Sequence, residues 1–252
     1  MEGDSGNEAA EAGLDGKSAA SYRQLFELTL HKLSREERIA LARGCSGPLL
    51  CAFCFDPDPG VILRGVLENT RTGLEHARLI AAHHRSTQGL QGLAGRAQLL
   101  ADSQVQRHLL RNAQTGEALL RRLLANAPLQ GLFQTLMGRE LTERARRVAS
   151  LVLKQRFQIT SPEEKVGVIV SSEGRCLRFL VGSPLDGRTS TMICERSVLS
   201  STLIQNLARW PTTPPQILRH LAKQTTIRSS PGIKRLILQH PNCPSELKRG
   251  SE

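Results

Sequence analysis

Aromatic side chains make up only 3% of this 252-residue chain, with one Trp and one Tyr. A β-sandwich without them would lack the side chains that best fill a pleated surface. Leu, Ala and Val must fill the interior, which suits thin layers of helix. Long apolar runs are lacking too. The longest clear one is Pro48 to Phe55, well short of the ~18 residues that span a bilayer. No membrane association is therefore expected. The N-terminal stretch has neither the basic region nor the apolar core of a secretory signal. The six cysteines do not follow the spacing of a small disulfide-stapled domain. These absences lead us to expect a cytoplasmic protein. Acidic residues are scarce relative to basic ones, and the formal charge is +11. Residues 1–20 carry five acids against Lys17, a net of −4, which leaves +15 on the remainder. A basic body raises the prospect of an anionic partner, nucleic acid or acidic protein.

What is present is repetition. Shifted by 127 residues, the chain matches itself. Ser34-Arg35-Glu36-Glu37-Arg38-Ile39 lines up with Ser161-Pro162-Glu163-Glu164-Lys165-Val166, Gly47 with Gly174, and Leu50 with Leu177. After a one-residue insertion, Leu90 and Leu93 meet Leu218 and Leu221, while Arg107 and Arg121 meet Arg235 and Arg249. Repeated helical units bury their apolar faces on one another and form arrays. The expected fold is all-α, an α-solenoid built from a tandem duplication. Its expected parts are an acidic disordered tail (1–19), a first helical half (20–138), a bridging helix (139–157) and a second half (158–252).

Start and stop signals are legible. Ser34-x-x-Glu37 and Ser161-Pro162-x-Glu164 read as capping boxes. Asp58-Pro59, Thr213-Pro214 and Ser230-Pro231 read as cap-then-proline starts. Gly44, Gly138 and Gly182 read as helix stops. Val166–Val170 has the look of a strand, but its partner segment Ile39–Arg43 reads as helix, so both are expected to be helical. A shorter motif recurs as Ile62-x-Arg64-x-Val66-Leu67-x-Asn69, as Val105-x-Arg107-x-Leu109-Leu110-x-Asn112, and as Ile233-x-Arg235-x-Ile237-Leu238-x-His240. Its apolar residues share one helix face, and its Asn or His ends the helix. A turn holding Thr72, Thr115 or Cys243 follows.

Pro57-Asp58-Pro59-Gly60-Val61 with Val66-Leu67-Glu68-Asn69 resembles bacterial HEAT-like and leucine-rich-repeat-variant proteins. So do the run Leu207 to Pro211 with its continuation to Ala222, and His240-Pro241-Asn242-Cys243-Pro244. The resemblance implies an α-solenoid with a scaffold role and no shared catalytic residues. The chain departs from it at Trp210, where Asn is usual, and at Thr189–Leu199, where the apolar face is weak.

No reactive constellation stands out. Cys45, Cys51 and Cys54 read as small hydrophobes, since Cys54 aligns with Val181 and Cys176 with Leu49. Glu36-Glu37 and Glu163-Glu164 sit where acids complement a helix start. His83-His84 falls at a helix end, in a surface or capping role. Gly89, Gly92 and Gly95 fit close helix packing rather than a phosphate loop. No metal, cofactor or small-molecule substrate is expected. The candidate partner-binding residues are Arg64, Arg107 and Arg121 together with Arg209, Arg219, Lys234, Arg235 and Arg249. A protein partner leads. Duplex nucleic acid bound through phosphates is the alternative. A glycosylase-type enzyme rests on fold analogy alone.

Overall fold

The computed structural model describes residues 19–139, 141–224 and 230–249. The acidic tail expected over 1–19 lies outside them, except Ala19. Every regular element among the described residues is helical. The chain divides into two compact units, 1–123 with 140–145, and 124–139 with 146–252.

Unit 1 holds α1 (19–28), α2 (Arg35–Gly44), α3 (Pro48–Phe53), α4 (Pro59–Arg64), α5 (Leu74–His83), α6 (Thr87–Ala94), α7 (Ala97–Leu100), α8 (Ser103–Arg111) and α9 (Glu117–Leu124). Successive helices alternate between two rows. α2, α4 and α6 pack in one row, and α3, α5 and α8 in the other. Between the rows lie Leu50, Phe53, Ile62, Ile80, Leu90, Leu93 and Leu109, all fully buried. At about 25 cal/mol per Å² of apolar surface removed from water, such side chains supply most of the drive to stack.

In unit 2, α10 (Leu129–Met137), α12 (Pro162–Ser171), α13 (Gly187–Cys194) and α15 (Pro215–Ala222) pack in one row. A 3₁₀ stretch (Arg175–Phe179), α14 (Ser201–Arg209) and α16 (Pro231–Gln239) form the other. α11 (Glu143–Ile159) precedes α12, and α17 (Ser245–Arg249) ends the described chain. Val166–Val170 is helical within α12, as expected.

The recurring motif has a physical reason. A helix leaves its last carbonyls without partners. Asn69 donates its amide to Ala42 O and Cys45 O at the end of α2, both at 2.8 Å. Asn112 does the same for Ala81 O and His84 O at the end of α5, at 2.9 and 3.0 Å. His240 Nε2 donates to Trp210 O at the end of α14, at 2.8 Å. Each of these residues caps its own helix and closes the helix before it in the same row. The turns after Asn69, Asn112 and Trp210 are wired alike. Thr72, Thr115 and Thr213 each donate a hydroxyl proton to the carbonyl six residues earlier. Trp210 caps α14 with its backbone while its ring is buried.

Local starts mostly follow the sequence. Ser34 and Glu37 form a complete capping box. Asp58 accepts from Gly60 N with Pro59 at the first helical position. Three readings change. Ser161 caps α12, but Glu164 turns away to accept from Leu129 N at 2.9 Å, so the second box is half closed. Pro214, not Thr213, stands at the N-cap of α15, because the Thr213 hydroxyl is committed to Leu207 O. Ser230 starts α16 without a side-chain cap bond. The weak face at Thr189 is filled by polar side chains. Thr189 and Ser190 are buried and bonded to Asp186, the N-cap of α13.

Close approach requires a glycine at 65, and at 92 a side chain would fit only if Leu63 shifted. A Cβ at Gly65 would stand 2.6 Å from Val61 O and 2.8 Å from the Ala42 Cβ, where α4 crosses α2. One at Gly92 would collide with Leu63.

Candidate partner-binding surface

Much of the positive charge is engaged within the fold. Arg43 donates to Arg64 O at 3.1 Å, Arg96 to Leu67 O at 2.9 Å, Arg146 to Leu136 O at 2.9 Å and Arg156 to Ala125 O at 3.1 Å. All four cover carbonyls at or near helix C-termini, where cations are favoured. Other bases meet carboxylates on the next helix of their row. Arg35 pairs with Asp58, Arg43 with Glu68, Arg78 with Asp102, Lys165 with Asp186 and Arg188 with Glu163, at 2.6 to 3.1 Å. Arg38 Nε lies 2.9 Å from Asp56, whose side chain is fully buried. Burial pushes the Asp56 carboxyl up, against the Asp58 N–H and the Arg38 charge. Asp186 is held down at about 2, because Lys165 and the Thr189 N–H and hydroxyl outweigh its burial.

Against that background the eight candidates separate. Arg64 approaches Glu36 at 3.9 Å, Arg121 pairs with Glu117 at 2.7 Å, and Arg219 with Glu246 at 3.3 Å. Arg107 is exposed and has contacts of its own. Arg64 belongs to α4 and Arg107 to α8, helices of different rows, so the two are not adjacent rungs of one ladder. Arg209, Lys234, Arg235 and Arg249 are exposed and have no acidic partner among the described residues. They lie on α14, α16 and α17, in unit 2. From Glu195 to Arg249 the only acids are Glu195 and Glu246, and Arg219 already engages Glu246. This stretch therefore carries uncompensated positive charge. Trp210, its one aromatic residue, is buried and offers no face for stacking a base.

The remaining chemistry-bearing residues serve the fold. Cys51, Cys54 and Cys176 are buried, and burial pushes their thiols up, those of Cys51 and Cys176 to about 11. Such thiols are poor nucleophiles. Cys54 and Val181 do not occupy equivalent sites, since Cys54 is fully buried and Val181 is 54% exposed. His84 is buried, and its Nδ1 donates to Asp56 O at 3.1 Å. Its neighbour His83 is half-buried at the surface, so the pair divides the capping and surface roles between them. No group of three or more His, Cys, Asp or Glu among the described residues is placed to hold a metal ion. An open depression of about 430 Å³ is lined by Pro128, Gln130, Glu164, Gly167, Val168 and Ser171, and its one carboxylate is spent on Leu129 N. No helix of the described residues is long and apolar enough to cross a membrane.

One cluster had no signal in the sequence. Arg23, Phe55 and His83 come from α1, the end of α3 and the end of α5, 32 and 28 residues apart, and meet in space. No spacing rule connects them.

The structure thus defines an all-helical protein of many short helices packed in sequence. No family model, curated protein or solved structure matches the chain.

Proposed function

We propose that the chain is a non-enzymatic helical-repeat scaffold, HEAT-like in plan, that binds a protein with an acidic surface through the basic helices of its second unit. The observation that carries the reading is the set of exposed cations without acids on α14, α16 and α17. An anion there gains Coulomb attraction without first breaking an internal pair. The row packing supports a repeat array. Several equivalences across the 127-residue shift support a duplicated unit. Gly47 and Gly174 both have positive φ, 59° and 76°. Glu36 and Glu163 both face an arginine of the next helix in the row, Arg64 and Arg188. Arg38 and Lys165 both reach an aspartate just ahead of that helix. Leu90, Leu93, Leu218 and Leu221 are all buried.

The test is affinity capture from a cell extract with the wild type and with Arg209, Lys234, Arg235 and Arg249 changed to Glu. The reading expects an acidic protein held by the wild type and lost by the variant. An identical set of proteins on both would refute it.

The same unpaired cations favour duplex nucleic acid as a second reading. Contact would be with phosphates, because no exposed aromatic residue interleaves the basic helices. Fluorescence anisotropy of a labelled random-sequence duplex at about 50 and about 200 mM salt decides it. Binding that collapses with salt would promote nucleic acid to the first place, and no binding at low salt would remove it.

A further inference from the structure

His84 ends α5 at a joint between the two rows of unit 1. Its Nδ1 donates to Asp56 O at 3.1 Å, in the turn between α3 and α4, and its own carbonyl accepts from the Asn112 amide at 3.0 Å. The ring lies against Gly89 in the first turn of α6, where a Cβ would collide with it. His84 is 1% exposed, and its Nε2 is buried without a hydrogen-bond partner. Asp56 is itself fully buried; its carboxylate accepts from Asp58 N at 2.9 Å and faces Arg38 of α2. The Asp58 carboxylate is spent on Gly60 N and Arg35, at 2.7 and 2.6 Å.

A backbone carbonyl can only accept, so the proton of the neutral ring sits on Nδ1 and Nε2 carries a bare lone pair. A second proton would have to enter at Nε2, as a charged donor with no acceptor, which costs far more to bury than a lone pair. No side chain facing the ring removes that cost. From α6 nothing titratable faces it, since Thr87–Ala94 holds no such residue. From the α3–α4 turn come Asp56 and Asp58, already set against Arg38 and Arg35 of α2. After α8 comes the neutral Asn112 amide. His83, next in the chain, turns to Phe55 and Arg23 instead. Burial accordingly pushes His84 towards its neutral form, against the pull of Asp56 O and of the Asp58 charge. A ring that resists its proton when folded contributes stability above the ordinary imidazole value of about 6.5, and that stability is lost as pH falls below it. Asp56 has the opposite sign, since burial raises its carboxyl and acid relieves it.

We propose that His84 is an acid-sensitive latch: a proton at Nε2 frees the first turn of α6 from the α3–α4 turn and exposes the apolar face of α6. That face carries Leu90 and Leu93, both fully buried in the closed form. Neutral pH holds the joint and mild acid opens it, by local rather than global unfolding. The latch lies within the first unit and does not depend on the basic helices of the second, so either reading can fail alone.

The test is hydrogen exchange of the full chain at about pH 7.5 and about pH 5.5, read on peptides spanning 84–94 and corrected for the intrinsic exchange rate. An opened state that takes up one proton with the ordinary imidazole value gains up to about tenfold in population over that interval. The wild type should therefore exchange roughly three- to tenfold faster there in acid. Burial holds His76 and His83 of the same unit towards their neutral forms too, so the decisive comparison is with His84→Asn. Its amide keeps a donor for Asp56 O but gains no proton, and the acid effect should fall below about twofold. Circular dichroism confirms that each variant is folded, and His84→Gln carries the test if Asn unfolds the chain. Equal protection of the wild type at both pH values would overturn the proposal, and so would an equal acid response in the His84 variant. Asp56→Asn should leave the acid effect in place; its loss there would make the carboxyl the trigger and overturn the proposal as well.

Discussion

Asn69 is 5% exposed and makes three hydrogen bonds through its side chain. Its amide closes Ala42 O and Cys45 O at 2.8 Å each, and its Oδ1 accepts from Arg71 N at 2.8 Å. Asn69→Ala removes all three. A neutral hydrogen bond contributes a net of about 1 kcal/mol, and a buried carbonyl left bare costs about 1–3 kcal/mol. Ala42 is fully buried, while Cys45 is half-buried and its carbonyl can recover water in part. Two lost bonds plus one bare carbonyl give roughly 3 kcal/mol. Asn69→Asp is the sharper test. It keeps the shape and the Arg71 contact but sets carboxylate oxygens against two carbonyl oxygens. It should destabilise at least as much as Ala. The assay is urea unfolding followed by circular dichroism, with the transition fitted separately for each unit if two appear. Asn242 bonds Pro211 O and Thr213 O at 3.4 and 3.1 Å from an exposed position, so Asn242→Ala should cost under about 1 kcal/mol. A loss below about 1 kcal/mol for Asn69→Ala, or an Asp variant as stable as the wild type, would refute the role assigned to the recurring cap.

Gly65→Ala should cost about 2 kcal/mol or more, because the Cβ meets backbone where α2 and α4 touch; Gly44→Ala, with nothing within 4 Å, should cost nothing, and equal melting temperatures for the two would sink the argument. Arg78 and the Val105 N–H hold Asp102 down at about 2 against its burial. A depressed carboxyl contributes stability above its unfolded value of about 3.9, lost as pH falls through about 2. Asp102→Asn should therefore be about 1 kcal/mol less stable at neutral pH, with the gap to wild type closing in acid; a gap that stays constant down to about pH 2 would contradict the pairing. Brief alkylation of the native protein should label the half-buried Cys45 and Cys194 ahead of the buried Cys51, Cys54 and Cys176, and rapid labelling of Cys54 would show that α3 is not packed as described.

Period and caps made the fold legible. The apolar face at Ile62, Val66 and Leu67 and the helix-ending Asn69, Asn112 and His240 could be read because those rules are local. What Asn69 and Asn112 close could not be read, since their targets lie 24 to 31 residues away. The ion pairs have the same character. Arg35–Asp58, Arg78–Asp102 and Arg219–Glu246 span 23, 24 and 27 residues, which for the first two is one step to the next helix in a row. For that reason the sequence could list cations but could not separate Arg219, which meets a carboxylate, from Arg235, which meets none among the described residues. The capping-box reading at Glu164 failed similarly, because Leu129 N in α10 won the carboxylate from a local partner. The alignment of Cys54 with Val181 matched residue types but not burial, which depends on the packing that follows each segment.

The central claim is that the unpaired cations of α14, α16 and α17, rather than net charge, bind the partner. It is tested most directly by the affinity of two charge-matched variants for a labelled polyglutamate peptide. One replaces Arg209, Lys234, Arg235 and Arg249 with Ala. The other replaces Arg64, Arg121, Arg188 and Arg219, whose guanidinium groups already face carboxylates. The account predicts a loss of roughly tenfold or more for the first and little change for the second. Equal losses would show that binding follows total charge, and would contradict it.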